Sequence, residues 1–596
     1  MGRWGASVVA FLTIVTFLPA LQNGFAGNFD DAKNFLANPH YRGLGLTQIE
    51  WMFTTTHMGQ YIPLTWITLG LDYLLWGMNA AGYHLTSLLL HAVTAVLFYL
   101  VSLRLIGLAI RRPEEAWVTA AGATVAALLF AVHPLRVESV AWVTERRDVV
   151  SGVFSMLTLL AWLRAVEREP RARRWYWVSV ALFACALLSK ALIVPLPVVL
   201  LVLDVYPLRR LGGAQGWWSP GARRVYAEKA PFAVLAAVAA VIAFVAIVRL
   251  GNMSPLERLG LPERLAVSVF GLAFYLWKTL LPVGLSPLYG LPARVDLAAP
   301  RYLLSFAVVG LVSLLAVVAR HRGPWLAAAW IVYVVTLLPV VGILQNGPQI
   351  AADRYTYLAC LPWALLIGGA VAVALRRAAG KGREAALALA VATVILVVGL
   401  EGLTVNQIAA WRDSLTLWRH AVRVDPSNAL AHNNLGAALL EAGRPDEAID
   451  AFKNAVDWLP LSLRESRANV FFKLGTLLQQ QGDLDGAELR YRETLALDRN
   501  HAFAWNNLGV VLALRGKFDE ALQAFRNSLA AIPEYAEACD NPAGRRRSWA
   551  EGSRSWNGAA PSRGREGRPK PASPLDVLSR WGPPRRPQYP SSCSVA

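Results

Sequence analysis

Long apolar runs separated by short polar loops fill the first two thirds of the chain. Runs near 4–22, 85–106, 117–133, 149–166, 175–189, 191–206, 230–250, 302–319, 324–344, 357–375 and 384–402 approach the length a helix needs to cross a bilayer. The pattern predicts about eleven spans. From about residue 405 to 540 the apolar positions change to the spacing of amphipathic helix pairs. From 541 to 596 no apolar period remains, and Pro, Gly, Ser and Arg dominate, which predicts a disordered basic tail. The expected fold is all-α: a polytopic helix bundle over 1–404, then a helical solenoid over 405–540.

Loop charge orients the spans. The stretches Arg104–Arg112, Arg164–Arg174, Arg209–Lys229, Arg320–Arg322 and Arg376–Arg383 are rich in Arg and Lys. They fall on one side if the N-terminus is cytoplasmic, as the positive-inside rule requires. Leu265–Leu281 is also apolar, but counting it as a span would move two of these loops outside. It is read as a helix lying in the interface, with a twelfth span as the alternative. This topology puts Asp30, Asp31 and the solenoid on the extracytoplasmic side of a plasma (inner) membrane, the solenoid in the periplasm if the envelope has one.

The solenoid has a countable period. Asn433-Asn434-Leu435-Gly436 recurs as Asn506-Asn507-Leu508-Gly509, with Leu474-Gly475 between them. Gly475 and Gly509 lie 34 residues apart, the tetratricopeptide (TPR) period. Gly436 and Gly475 lie 39 apart, which implies an insertion of five near LPLSLRES. About three repeats and a partial one follow. Trp411 and Trp418 are placed to cap the stack against the membrane region. The concave face is a candidate surface for an acceptor protein or peptide; a spacer or dimerisation role is the alternative.

Composition agrees with a membrane protein. Of 596 residues, 55% are hydrophobic and 16% charged, against roughly 25% charged in soluble domains. The net charge of +18 lies largely in the loops and the tail, so it gives no reason to expect nucleic acid as a partner. Cys185, Cys360, Cys539 and Cys593 show no paired spacing, and His40, His57, His84 and His91 no metal-binding motif. Glycine-rich phosphate loops are absent.

The ionisable residues that remain sit in the outer loops. NFDDAKNF holds Asp30 and Asp31; HPLRVESVAWVTERRDVVSG holds Glu138, Glu145, Arg146, Arg147 and Asp148; LLSKALIVPLP holds Lys190; AADRYTYL holds Asp353, Arg354 and Tyr357. Charges gathered at membrane edges beside aromatic residues suggest a pocket there. Solvated loop charges are the plainer alternative.

These four segments, with the domain order, resemble the transmembrane and TPR-containing O-mannosyltransferases and their bacterial relatives, within the GT-C glycosyltransferases. The resemblance covers roughly residues 1 to 540. It departs at Glu145-Arg146-Arg147-Asp148, where the family often has Gly-Arg-Ala-Asp/Glu, and at Asp353-Arg354, where it has Glu-Arg. The resemblance implies transfer of a sugar, mannose among the candidates, from a polyprenyl-phosphate donor to a hydroxyl acceptor such as Ser or Thr of an extracytoplasmic protein, on the outer or lumenal face. Asp30, Asp31 and Glu138 are the catalytic candidates. Arg146, Arg147, Asp148, Lys190, Arg354 and Tyr357 are candidates for holding the donor's phosphate and sugar. A divalent cation, Mg or Mn, at Asp30 and Asp31 stays open. The other class of function is a non-enzymatic membrane scaffold whose repeats recruit envelope or secreted proteins.

Overall fold

The computed structural model describes residues 2–110, 116–167, 171–251, 259–292, 294–345, 347–379 and 383–532. The predicted basic tail, Cys539, Cys593 and the closing Pro533 of the third repeat lie outside these, as do parts of three basic loops. The chain divides into two compact units, residues 1–443 and 444–596.

The first unit is helical almost throughout. Its helices are α1 (Gly2–Phe17), α2 (Leu46–Thr54), α3 (Pro63–Trp76), α4 (Ala80–Ile110), α5 (Ala116–Ala131), α6 (Val137–Ala141), α7 (Arg146–Val166), α8 (Ala172–Ser189), α9 (Leu196–Val205), α10 (Pro220–Ala227), α11 (Ala230–Leu250), α12 (Leu261–Leu280), α13 (Pro300–Ala319), α14 (Pro324–Leu337), α15 (Thr356–Ala359), α16 (Leu361–Ala379), α17 (Arg383–Ala410), α18 (Ser414–Val424) and α19 (Ala429–Glu441). Two short antiparallel strands, Tyr289–Gly290 and Gln349–Ala351, pair between the segment after α12 and the one before α15.

Seven helices among the described residues are long and apolar enough to cross a bilayer, which makes this a multi-pass membrane protein. An eighth span is added if α5 and the segment Pro134–Ala141, bent by 55° to each other, count as one. The sequence expectation of about eleven is therefore higher than the structure supports by length and composition. The difference has local causes. Arg173 and Arg174 lower the mean hydropathy of α8, while Ala191–Val205 and Pro324–Leu337 are apolar but short. The α12 helix, over the segment read as interfacial, does not qualify as a span. It carries buried Arg264 and Lys278, and the Lys278 ammonium donates to the carbonyls of Val283 and Gly284.

Close helix contact in the bundle depends on small residues. A Cβ on Gly122 of α5 would stand 2.5 Å from the Gly368 carbonyl oxygen of α16, and one on Gly368 would stand 2.3 Å from that of Gly122. This opposed glycine pair lets the two backbones touch, as small residues do between membrane helices.

The helix pair α18–α19 packs within the first unit. Trp418 is fully buried and meets the Phe29 ring edge-on at 5.2 Å. Phe29 stacks on Trp142 at 4.5 Å, and Trp142 on Trp411 at 5.6 Å. The loop that carries Asp30 is thus clamped between the start of the repeats and the second loop. Removing a buried Trp leaves a cavity that costs about 3–5 kcal/mol. Trp418→Ala is expected to lower the thermal midpoint of the detergent-purified protein by several degrees; an unchanged midpoint would show that the clamp carries no stability.

The second unit, where described, is built from α20 (Pro445–Trp458), α21 (Arg464–Gln480), α22 (Leu484–Leu497), α23 (Ala502–Leu514) and α24 (Phe518–Ala531). Its small residues have a steric role. A Cβ on Gly475 would meet the Tyr491 ring at 2.8 Å, and one on Gly509 the Phe525 ring at 2.6 Å. The five-residue insertion is visible: α21 has 17 residues where α23 has 13, and the loop before it has one residue more.

Candidate active site

The loop after α1 carries the two aspartates, and their surroundings differ sharply. Asp31 is buried, and both of its oxygens accept hydrogen bonds. Oδ2 accepts from the Ala26 N–H at 2.8 Å; Oδ1 accepts from the Thr144 N–H at 3.1 Å and its hydroxyl at 2.6 Å. Thr144 also accepts from the Asn34 amide at 3.1 Å, so the first loop is pinned to the second. Burial outweighs these donors and pushes the Asp31 carboxyl up to about 7.

Asp30 is half-buried and makes no hydrogen bond or ion pair among the described residues. Burial raises its pKa; the positive charges of Arg147 and Arg354 act against that rise, and Glu145 adds to it. It is an unpartnered carboxylate within reach of the charges of Arg147, Arg354 and Glu145.

These charges centre on Glu145, which lies in the short turn before α7 and is fully buried. It pairs with three cations. Arg147 donates to it from Nε at 3.0 Å, Lys190 from Nζ at 3.0 Å, and Arg354 Nε lies 3.3 Å away. Lys190, just past the end of α8, also binds Asp148 at 2.6 Å, and Asp148 accepts from the Ser139 hydroxyl. Arg354, in the turn before α15, pairs with Glu138 of α6, which accepts the Arg354 N–H as well at 2.8 Å. The Arg354 guanidinium lies over the Trp142 ring at 5.6 Å and the Tyr355 ring at 5.1 Å. Asp353 is buried and accepts from the Tyr289 hydroxyl at 2.9 Å. Burial and the Glu138 charge hold its pKa well above the ordinary carboxylate range.

Most predicted candidates therefore meet. Glu138, Arg147, Asp148, Lys190 and Arg354 form one ionic network, and Asp30 lies beside it. Tyr357 lines a small cleft with Asp148, Lys190, Arg354, Leu192, Ile193 and Leu358; its hydroxyl is tied to His91 at 2.9 Å. Arg146 is not part of this network. It is fully buried, pairs with Asp72 at 2.7 Å, and donates to Ser87 and the Tyr83 carbonyl. With no nitrogen turned to the cluster, it braces α7 against α3 and α4.

The structure also adds residues that sequence reasoning gave no role. In the sequence Glu145 is one loop charge among several; its central place depends on Lys190 and Arg354, far away in sequence. Gln60 meets the Arg147 guanidinium. Trp142 carries both the Phe29 stack and the Arg354 cation, and nothing but its aromatic character could have signalled that.

Both Asp31 oxygens accept from N–H and O–H donors, Oδ1 from two and Oδ2 from one. Among the described residues no three or more His, Cys, Asp or Glu side chains are grouped to hold an ion.

Comparison with known proteins adds to this geometry. A profile described as tetratricopeptide repeat matches residues 427–500, and a second of the same description matches 472–536. Human protein O-mannosyl-transferase TMTC1 is 25% identical over 80% of this chain and 57% of its own length. This chain is similar to the protein O-mannosyl-transferases. Drosophila melanogaster Tmtc3 is 25% identical over 66% of this chain and 48% of its own. Xenopus laevis tmtc2 reaches 34% over a shorter stretch, 27% of this chain and 19% of its own. The chain spans about half the length of TMTC1 and of Tmtc3.

Proposed function

We propose that this protein is a membrane glycosyltransferase that moves a sugar, mannose in the first instance, from a polyprenyl-phosphate donor to a hydroxyl of an extracytoplasmic protein. The observation that carries this reading is Asp30, an unpartnered half-buried carboxylate beside the buried Arg147 and the half-buried Arg354, two cations of the network that also holds Lys190. The names of the similar proteins support the same class of reaction.

The chemistry follows from these groups. The acceptor hydroxyl oxygen attacks the anomeric carbon while Asp30 takes its proton. The bond from that carbon to the phosphate oxygen breaks, and its electron pair leaves with the polyprenyl phosphate. Lys190 and Arg354 offset the charge of that phosphate, and Arg354 presents a guanidinium fork suited to it. Glu138 holds Arg354 in place. A single displacement inverts the anomeric centre. Asp31 shapes the loop through Ala26 and Thr144. A scaffold that only recruits proteins has no use for a buried ionic network of this kind. The repeats are the natural place to engage an acceptor chain.

The test incubates purified full-length protein with a panel of polyprenyl-phosphate sugars and Ser/Thr peptides, with and without chelator. Transfer from one or more lipid-linked sugars is expected. Failure with every lipid-linked sugar, together with transfer from a nucleotide sugar, would reject the donor class.

The raised Asp30 pKa has a consequence for pH. A base works only when deprotonated, so the rate falls as pH drops through its folded-state pKa. That acid limb is expected above the ordinary Asp value of about 3.9. A limb at or below it in the pH profile of kcat/KM would remove Asp30 from the role of base.

A further inference from the structure

The reaction described above needs its base and its phosphate-holding cation in register, and Asp30 and Arg354 lie far apart in sequence. Misplacing reacting groups by about 1 Å can cost roughly a hundredfold in rate. The second loop touches both sides: Thr144 holds Asp31, Trp142 stacks on Phe29, and Glu145 pairs with Arg354. One more element touches both from outside the ionic network. It is the helix pair α18–α19, at the start of the repeats.

On the base side, this pair and the turn before it hold the loop of Asp30 at three points. The Gly24 N–H donates to the Arg412 carbonyl at 2.8 Å. The Asn28 N–H donates to the hydroxyl of buried Ser414 at 3.3 Å. Phe29, next to Asp30, meets the Trp418 ring. On the phosphate side the pair holds the segment 285–288. His420 Nε2 donates to the Leu285 carbonyl at 2.8 Å, and the buried Asn428 amide donates to the Leu288 carbonyl at 3.0 Å. From there the path to Arg354 is short. Tyr289 pairs with Ala351 across the two strands, its hydroxyl donates to Asp353, and Arg354 is the next residue.

Two features mark these contacts as more than the burial of an apolar face. Trp418 stands in one apolar cluster with both Phe29 and Leu288, so a single side chain serves the two segments. Asn428 does two things at once. Its Oδ1 accepts from the Ala431 N–H at 3.1 Å and caps α19. Ser or Asp would cap as well; among the good caps only asparagine adds an amide donor, and here that donor goes to Leu288. We propose that α18–α19 is a positioning element of the transfer site: Ser414 sets the loop of Asp30, His420 and Asn428 set the turn of Arg354, and the pair fixes the spacing between base and phosphate. This rests on the reaction proposed above. The start of the repeat array then supports the chemistry itself.

The test uses the full-length protein in nanodiscs, with Ser414→Ala for the base side and a His420→Leu/Asn428→Ser double variant for the phosphate side. Asn428→Ser keeps the cap of α19 and drops the reach to Leu288. Two readouts are taken: backbone hydrogen exchange, which needs no turnover, and transfer of mannose from a polyprenyl-phosphate lipid to a Ser/Thr peptide. Ser414→Ala is expected to speed exchange over 24–32 and leave 349–357 as in the parent; the double variant is expected to do the reverse. Each should lower kcat about tenfold with KM for the peptide unchanged. Ser414→Thr and His420→Gln, which keep the hydroxyl and a donor, are expected to hold the parental rate. Unchanged exchange in both segments overturns the positioning, and so does altered exchange at parental kcat. A raised peptide KM at unchanged kcat would make the pair an acceptor surface instead. Faster exchange over the whole protein, with no recovery in the conservative variants, would make its role purely structural. A parent that transfers from no lipid-linked sugar rejects the reaction and with it the catalytic meaning of the pair; a transferring parent whose variants are unmoved rejects the positioning alone.

Discussion

An Asp30→Asn protein should fold as the parent does and transfer almost no sugar. Asn matches Asp in size, and the Asp30 carboxylate has no hydrogen bond to lose among the described residues. Loss of a positioned general base lowers rate by roughly 10²–10⁴-fold. Asp31→Asn should behave differently. Its Oδ2 accepts the Ala26 N–H, while Oδ1 accepts both donors of Thr144. An amide can satisfy one side only, and its NH₂ would then face the other N–H. A buried group left unsatisfied costs about 1–3 kcal/mol, so this variant is expected to lose thermal stability together with activity. Turnover and thermal midpoint, measured on both proteins, separate the two residues. An active Asp30→Asn enzyme would remove the proposed base; a fully stable Asp31→Asn enzyme would remove the pin.

Glu145→Gln is expected to be the most damaging single change in stability terms. Glu145 is completely buried, and Arg147, Lys190 and Arg354 all converge on it. Breaking a buried ion pair from one side costs about 3–5 kcal/mol because the charge left behind has no partner. Here three charges lose part of their compensation at once. The amide keeps the shape and supplies a donor where only acceptors serve. Poor recovery of folded protein from membranes, or a thermal midpoint many degrees below the parent's, is the expected reading. Replacing Lys190 with Met in the same protein should return part of the loss, since it removes one of the uncompensated cations. A Glu145→Gln protein as stable as the parent would mean that these cations are neutralised elsewhere.

The fold and the candidate site were legible in the sequence to different depths, for physical reasons. The repeats were readable because their packing is local: Gly475 and Gly509 must lack a Cβ to admit Tyr491 and Phe525, 16 residues further on in each case. The apolar runs were readable as helices, yet their lengths were not, since arginines at the head of α8 and the short extents of two other runs alter how much of each can span. Adjacent residues proved hardest to tell apart. Arg146 and Arg147 are neighbours on one helix, so their side chains leave about 100° apart. One reaches Asp72 and the other Glu145. Asp30 and Asp31 share every local sequence feature; what separates them is the donors that Asp31 alone meets, the Ala26 N–H and the two groups of Thr144, the latter more than a hundred residues away.

The convergence on Glu145 also sets the terms on which an anionic ligand can enter. Every cation of the network already has a carboxylate partner, Glu138, Glu145 or Asp148. A phosphate arriving there meets no vacant charge, so it comes in by exchange: it takes over the guanidinium or ammonium from a carboxylate, which must then turn aside or accept a proton. Such a site behaves as an ion exchanger of fixed capacity. Its selectivity is set by how well the newcomer's oxygens outmatch those of the resident acid, and an anion with poorer geometry than a carboxylate is turned away without any steric gate.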